Sequence, residues 1–123
     1  MYDVYAMSTV CKPRDGYGLI IFVKGGDHNP PHAHITDLDN KLLGKMIITN
    51  EIPSNTNQLF KVKGSTSSLS TKQKQQIIEW ANQQSKNKKF VAYKNWEVLQ
   101  GAWGLENDEQ DIFPSVNDLT LTL

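Results

Sequence analysis

The stretch Leu19-Ile20-Ile21-Phe22-Val23-Lys24-Gly25-Gly26-Asp27-His28-Asn29-Pro30-Pro31-His32-Ala33-His34-Ile35-Thr36 decides how the rest of the chain reads. Its first five residues are a continuous β-branched and aromatic run, too short for a good helix and bounded by glycines. That predicts a central strand buried on both faces or nearly so. Gly25-Gly26-Asp27 ends it. Pro30-Pro31 imposes an extended path and denies two backbone donors to any sheet. From His32 the chain re-enters a strand, with His32, His34 and Thr36 pointing one way and Ala33 and Ile35 the other. Asp37-Leu38-Asp39-Asn40 has the composition of a turn. The run from Leu42 to Thr49 then reads as the next antiparallel strand, so residues 18–49 form a three-strand meander.

Outward from the meander the signals are weaker. Val4, Tyr5 and Met7 are a candidate edge strand, and Lys12-Pro13-Arg14-Asp15-Gly16 is a turn. Residues 53–57 are a loop. Leu59-Phe60-Lys61-Val62-Lys63 alternates weakly and is a candidate fourth, edge strand, because lysines suit an exposed edge. Ser70-Thr71-Lys72-Gln73 has the form of a capping box. Ile77, Ile78, Ala81 and Ser85 follow it as a stripe of period 3.6 that fades near Asn87. A short second helix is expected over Asn95-Trp96-Glu97-Val98-Leu99, ending near Gly101. These elements predict an α+β fold: a mainly antiparallel sheet of three or four strands with two helices packed on one face. Residues 1–104 are expected to be a single α+β domain and residues 105–123 an acidic C-terminal extension. Trp80 and Trp96 are expected in the core.

With 123 residues and 38% hydrophobic content, the chain suits one domain with a thin core. Formal net charge is zero, so total charge implies neither a nucleic-acid nor a membrane partner. The distribution is uneven. Residues 61–94 carry eight lysines against Glu79 alone, and residues 97–123 carry six acids and no base. A basic segment and an acidic one can bind partners or neutralise each other. The single cysteine, Cys11, can form no internal disulfide, which fits a reducing compartment, and it is expected to be incidental. Neither a transmembrane run nor a secretory leader is evident, so a cytoplasmic protein is expected.

All three histidines lie within seven residues, His28, His32 and His34. Histidine titrates near neutrality and is a common metal ligand. On a strand, the His-x-His pair sets two imidazoles on one face, and His28 can return across the proline bend as a third ligand. Three histidines with an open position are one form of catalytic site for a divalent metal such as zinc. Asp27, Asp37 or Asp39 can add an oxygen or orient a ligand. A metal-free alternative uses two histidines as general base and general acid, as in cleavage of RNA through its own 2′-hydroxyl. The third alternative is a rigid polar turn whose histidines serve structure or a non-enzymatic protein-interaction surface.

The segment from Gly18 to Val23 followed by Asp27-His28-Asn29-Pro30-Pro31-His32-Ala33-His34 resembles a family of small bacterial proteins known as domain of unknown function 4160. Ile77-Ile78-Glu79-Trp80-Ala81 and Asn95-Trp96-Glu97 resemble its later motifs in the same order, and together the likeness covers about residues 17–100. Ala33 stands where that family usually has phenylalanine, the loop over residues 50–68 is longer, and the tail after Gly104 is outside the pattern. The resemblance implies a toxin-type component of a toxin–antitoxin pair, with a small cognate partner protein and RNA as a target. It implies His28, His32 and His34 as functional residues, with Asp27, Asn95 and Glu97 in support. A metal-dependent hydrolase using the three histidines is the alternative activity.

Overall fold

In the computed structural model, residues 7–27, 30–56, 59–62, 67–107, 113 and 116 are described. Four strands, β1 (Met7–Cys11), β2 (Ile20–Lys24), β3 (His32–Thr36) and β4 (Leu42–Ile47), form one sheet in the order β1-β2-β3-β4. Every neighbouring pair is antiparallel. Two helices follow, α1 (Thr71–Asn82) and α2 (Asn95–Glu106). The fold is therefore α+β, with α2 lying against β1 and β2 and α1 against α2.

Register divides the sheet into two faces. Ile21 stands opposite Ile35, and Ala33 opposite Met46. These residues are fully buried and join Trp80, Trp96, Leu99 and Trp103 in the core. Phe22 stands opposite His34, and His32 opposite Ile47, on the other face. In the run from Leu19 to Val23, Leu19, Ile21 and Val23 are buried, while Ile20 and Phe22 on the other face are half-buried. The strand buried on both faces is β3, all five residues of which are inside.

Local chemistry explains the entry and exit of β3. Pro31 needs no donor, because its carbonyl accepts the Ile48 N–H at 2.9 Å. At the other end the Asp37 carboxylate accepts the N–H groups of Asp39 and Lys41, each at 2.9 Å. Asn40 takes the left-handed conformation there, φ 66°.

The fourth strand is β1 at the free edge, and residues 59–62 form none. Leu59 and Phe60 are adjacent and both buried, which breaks the two-residue period. That segment supplies β4 with a single bond, from Ile47 N–H to the Leu59 carbonyl. Ser70 caps α1 as expected, its hydroxyl accepting the Gln73 N–H at 3.0 Å. The helix ends at Asn82, five residues before Asn87. Residues 83–85 leave it to bond the chain entering α2, through Asn95 N–H to Gln83 and Ser85 N–H to Tyr93. In turn α2 runs past Gly101 and Gly104. Every residue from Val98 to Gly104 is buried, so packing overrides the glycines as helix terminators. Phe113 and Val116, from the acidic segment, are buried in the same core. Val4, Tyr5 and Lys63 lie outside the described residues.

Candidate metal centre

The site forms where β2 ends and β3 begins. Gly25 and Gly26 turn the chain after β2, with Gly26 in the left-handed region at φ 82°, and deliver Asp27 beside the first residues of β3. The alternation of β3 puts His32 and His34 on one face. One carboxylate oxygen, Asp27 Oδ2, lies 3.0 Å from His34 Nε2 and 3.4 Å from His32 Nε2. Asp27, His32 and His34 each offer a ligand atom, and these atoms lie within 4.8 Å of one another.

The rings are held in orientation. His32 Nδ1–H donates to the Pro30 carbonyl at 2.9 Å, which directs Nε2 toward the carboxylate. The His32 ring also packs on Trp103, centroids 5.5 Å apart. His34 stacks on Phe22, its partner across β2 and β3, at 5.2 Å and 13°. Each histidine is only 6% exposed, while the Asp27 side chain is 22% exposed. The last turn of α2 closes this end of the sheet, Asn107 Nδ2 donating to the Lys24 carbonyl at 2.9 Å.

Burial lowers the pKa of His34, and Lys24 and His32 add to that; the hydrogen bond and charge of Asp27 oppose it. At neutral pH His34 is therefore a neutral imidazole, and its contact with Asp27 is a hydrogen bond rather than an ion pair. His32 differs. Its Nδ1–H donates to Pro30, and its Nε2 lies 3.4 Å from the same carboxylate oxygen that His34 contacts. Zinc bonds of about 2.0–2.1 Å place tetrahedral neighbours about 3.3–3.4 Å apart, the distance of His32 Nε2 from Asp27 Oδ2, while His34 Nε2 stands closer at 3.0 Å.

Of the residues expected from sequence, the structure brings together Asp27, His32 and His34. His28 lies outside the described residues. Asn95 and Glu97 sit on the first turn of α2 and serve the backbone. Asn95 Nδ2 donates to the Trp80 carbonyl at 2.8 Å, and Glu97 Oε1 accepts the Lys94 N–H at 2.9 Å. Among the described residues neither belongs to the cluster. Asp37 is occupied by its turn, and Asp39 is exposed in the same turn. Cys11 is buried, its thiol donating to the Leu19 carbonyl at 3.4 Å, and burial pushes its pKa up to about 12. It is therefore a structural rather than a reactive thiol. Sequence reasoning missed Trp103 and Phe22 as walls of the site. Period-two pairing with His34 is a signal for Phe22 once register is known, whereas Trp103 has none.

A scan against protein-family models, a search of curated proteins and a search of solved structures each found no match. The likeness drawn from the histidine segment therefore rests on its residues. No helix among the described residues is long and apolar enough to cross a membrane.

Proposed function

We propose that this chain binds a divalent transition metal of the zinc class through Asp27, His32 and His34, and that it is a metal-dependent hydrolase. The observation that carries this reading is the convergence of His32 Nε2 and His34 Nε2 on one oxygen of Asp27. Two imidazoles and a carboxylate leave room for a non-protein ligand, the arrangement of catalytic rather than structural zinc. A metal held there supplies Lewis acidity toward a water or a phosphoryl or carbonyl oxygen. The protein's own part is to orient the ligands, through Pro30 for His32 and through Phe22 for His34. The aromatic walls keep bulk water from the two rings.

The biological role we propose is the toxin-type component of a bacterial toxin–antitoxin pair, acting on RNA and held by a small cognate partner protein in the cytoplasm. Its support is the Asp27–His34 segment and the motifs it shares with domain of unknown function 4160. Two experiments test these readings separately. Protein purified without a histidine tag should contain close to one equivalent of zinc, iron, manganese or nickel, and Asp27→Asn should lose it; absence of metal, with no thermal response to added metal, removes the metal reading. Induced expression of the wild type should arrest growth, whereas His32→Ala should not. Equal harmlessness of the two removes the toxin role. A partner captured equally by the wild type and by a chain lacking all three histidines, and lost on deleting residues 105–123, would favour a non-enzymatic module instead.

A further inference from the structure

We propose a second ligand site, independent of the metal centre: a cleft on the free edge of the sheet that binds a nucleoside monophosphate. A cavity of about 610 Å³ opens between β1 and the segment that joins α1 to α2. That volume falls within the range of small-molecule sites, about 300–1,000 Å³. One wall carries Lys12 and Arg14, from the turn after β1, and the facing wall carries Lys86. Among the described residues one acid lines it, Asp15, whose Oδ2 already accepts the Lys12 N–H at 2.9 Å. Among the described lining residues three cations face one carboxylate, an excess of two positive charges, with Glu79 near Tyr17 outside the lining. None of the three cations forms an ion pair among the described residues.

Charge and shape together select the ligand. A phosphomonoester carries about −1.5 to −2 charges at neutral pH, matching the excess in the cleft. Arg14 offers the planar fork that grips phosphate oxygens in pairs, and the lysines add point charges from either side. Half-buried Tyr17 lines the same cavity and provides a ring on which a planar base stacks, with buried Phe90 in the wall. The Gln83 side chain is exposed beside them and makes no hydrogen bond among the described residues, so its amide can pair with a base edge. An acidic peptide satisfies the cations equally but makes no use of the aromatic ring and the amide, which is why the nucleotide is preferred.

The floor of the cleft includes Ala102 of α2, and the next residue, Trp103, packs on His32. The two sites thus share a helix but no residue. The nucleotide can be free in solution or be the phosphorylated terminal nucleotide of an RNA chain, since both present the same phosphate and base.

The test is calorimetric titration of the full chain, in chelator and at low salt, with adenosine, guanosine, cytidine and uridine monophosphates. Inorganic phosphate, a 5′-phosphorylated oligoribonucleotide and an aspartate-rich peptide are titrated in parallel. At least one monophosphate should bind, and more tightly than inorganic phosphate. The Arg14→Ala/Lys86→Ala double variant should bind it at least tenfold more weakly. Lys72→Ala, on the exposed face of α1, should bind as the wild type does. An oligonucleotide that binds more tightly than every free nucleotide, with the same sensitivity to the double variant, assigns the site to RNA ends; the reverse assigns it to free nucleotides. Absence of binding by all nucleotide probes at millimolar concentration overturns the proposal. So does binding that survives the double variant, and so does a peptide that outcompetes every nucleotide. Since chelator is present throughout, failure of the metal reading leaves this result untouched.

Discussion

Replacing Asp27 by asparagine separates a hydrogen-bonded histidine cluster from a metal centre. Asparagine keeps an oxygen that accepts the His34 Nε2–H, the 3.0 Å contact of the native site. Without metal the substitution therefore costs no more than the difference between a charged and a neutral hydrogen bond, about 1 kcal/mol. With metal the same change removes the only anionic ligand among the three residues that converge. A ligand present at 100 times its dissociation constant stabilises the native state by about 2.7 kcal/mol. Unfolding entropy of about 2.1 cal/mol/K per residue gives about 0.26 kcal/mol/K for 123 residues, so the wild type should gain about 10 °C in Tm. If losing the carboxylate weakens binding about 100-fold, the variant at the same metal concentration sits at its own dissociation constant. It then gains only about 0.4 kcal/mol, or about 2 °C. The assay is scanning calorimetry of chelator-stripped, tag-free protein with and without zinc. Equal metal-induced shifts in the wild type and Asp27→Asn would show that zinc binds elsewhere. A metal-free Tm that drops by 10 °C or more in the variant would show that Asp27 acts chiefly as a structural counter-ion.

In chelator, the depressed pKa of His34 means that below its ordinary value of 6.5 the unfolded chain binds more protons than the folded one. Its contribution to stability is complete above about pH 6.5 and is lost as the pH falls below it, and denaturant titrations of His34→Gln should show a shallower acid decline than the wild type. A Cβ at Gly44 would stand 3.2 Å from Ser67 Oγ and 3.4 Å from Leu69 Cδ1, so Gly44→Val should lower the unfolding free energy by about 1–3 kcal/mol in urea. Ser70→Ala removes the cap of α1 and should cost about 1 kcal/mol in the same measurement. Cys11, buried with its pKa near 12, should resist thiol reagents in the native state and react at once in denaturant.

Much of the architecture was legible because it rests on local chemistry. The meander over residues 18–49 follows from β-branched runs separated by turn residues, and the start of α1 from Ser70 and Gln73. The two-residue period of β3 already places His32 and His34 on one side. Where the expectations missed, a long-range contact overrode a local preference. The end of α1 is set by pairing of residues 83–85 with residues 93–95. The length of α2 is set by burial that tolerates two glycines, and the fourth strand by the pairing of β1 with β2.

Residue order alone shows that His32 and His34 share a face, because strand alternation is a property of the backbone. It equally determined that Pro30-Pro31 would deliver the chain to β3 extended. Spacing alone leaves open which acid joins the pair, and folding settles it. Asp27, Asp37 and Asp39 are equivalent by spacing, but the glycine turn brings Asp27 Oδ2 to both rings while the β3–β4 turn occupies Asp37. Folding also decided that the imidazoles are buried, with Trp103 of α2 lying about seventy residues away in sequence yet against His32. Burial lowers the pKa of His34, and the Pro30 carbonyl aims the Nε2 of His32 at the carboxylate; neither effect can be read from residue order, because both depend on which groups exclude water from the ring.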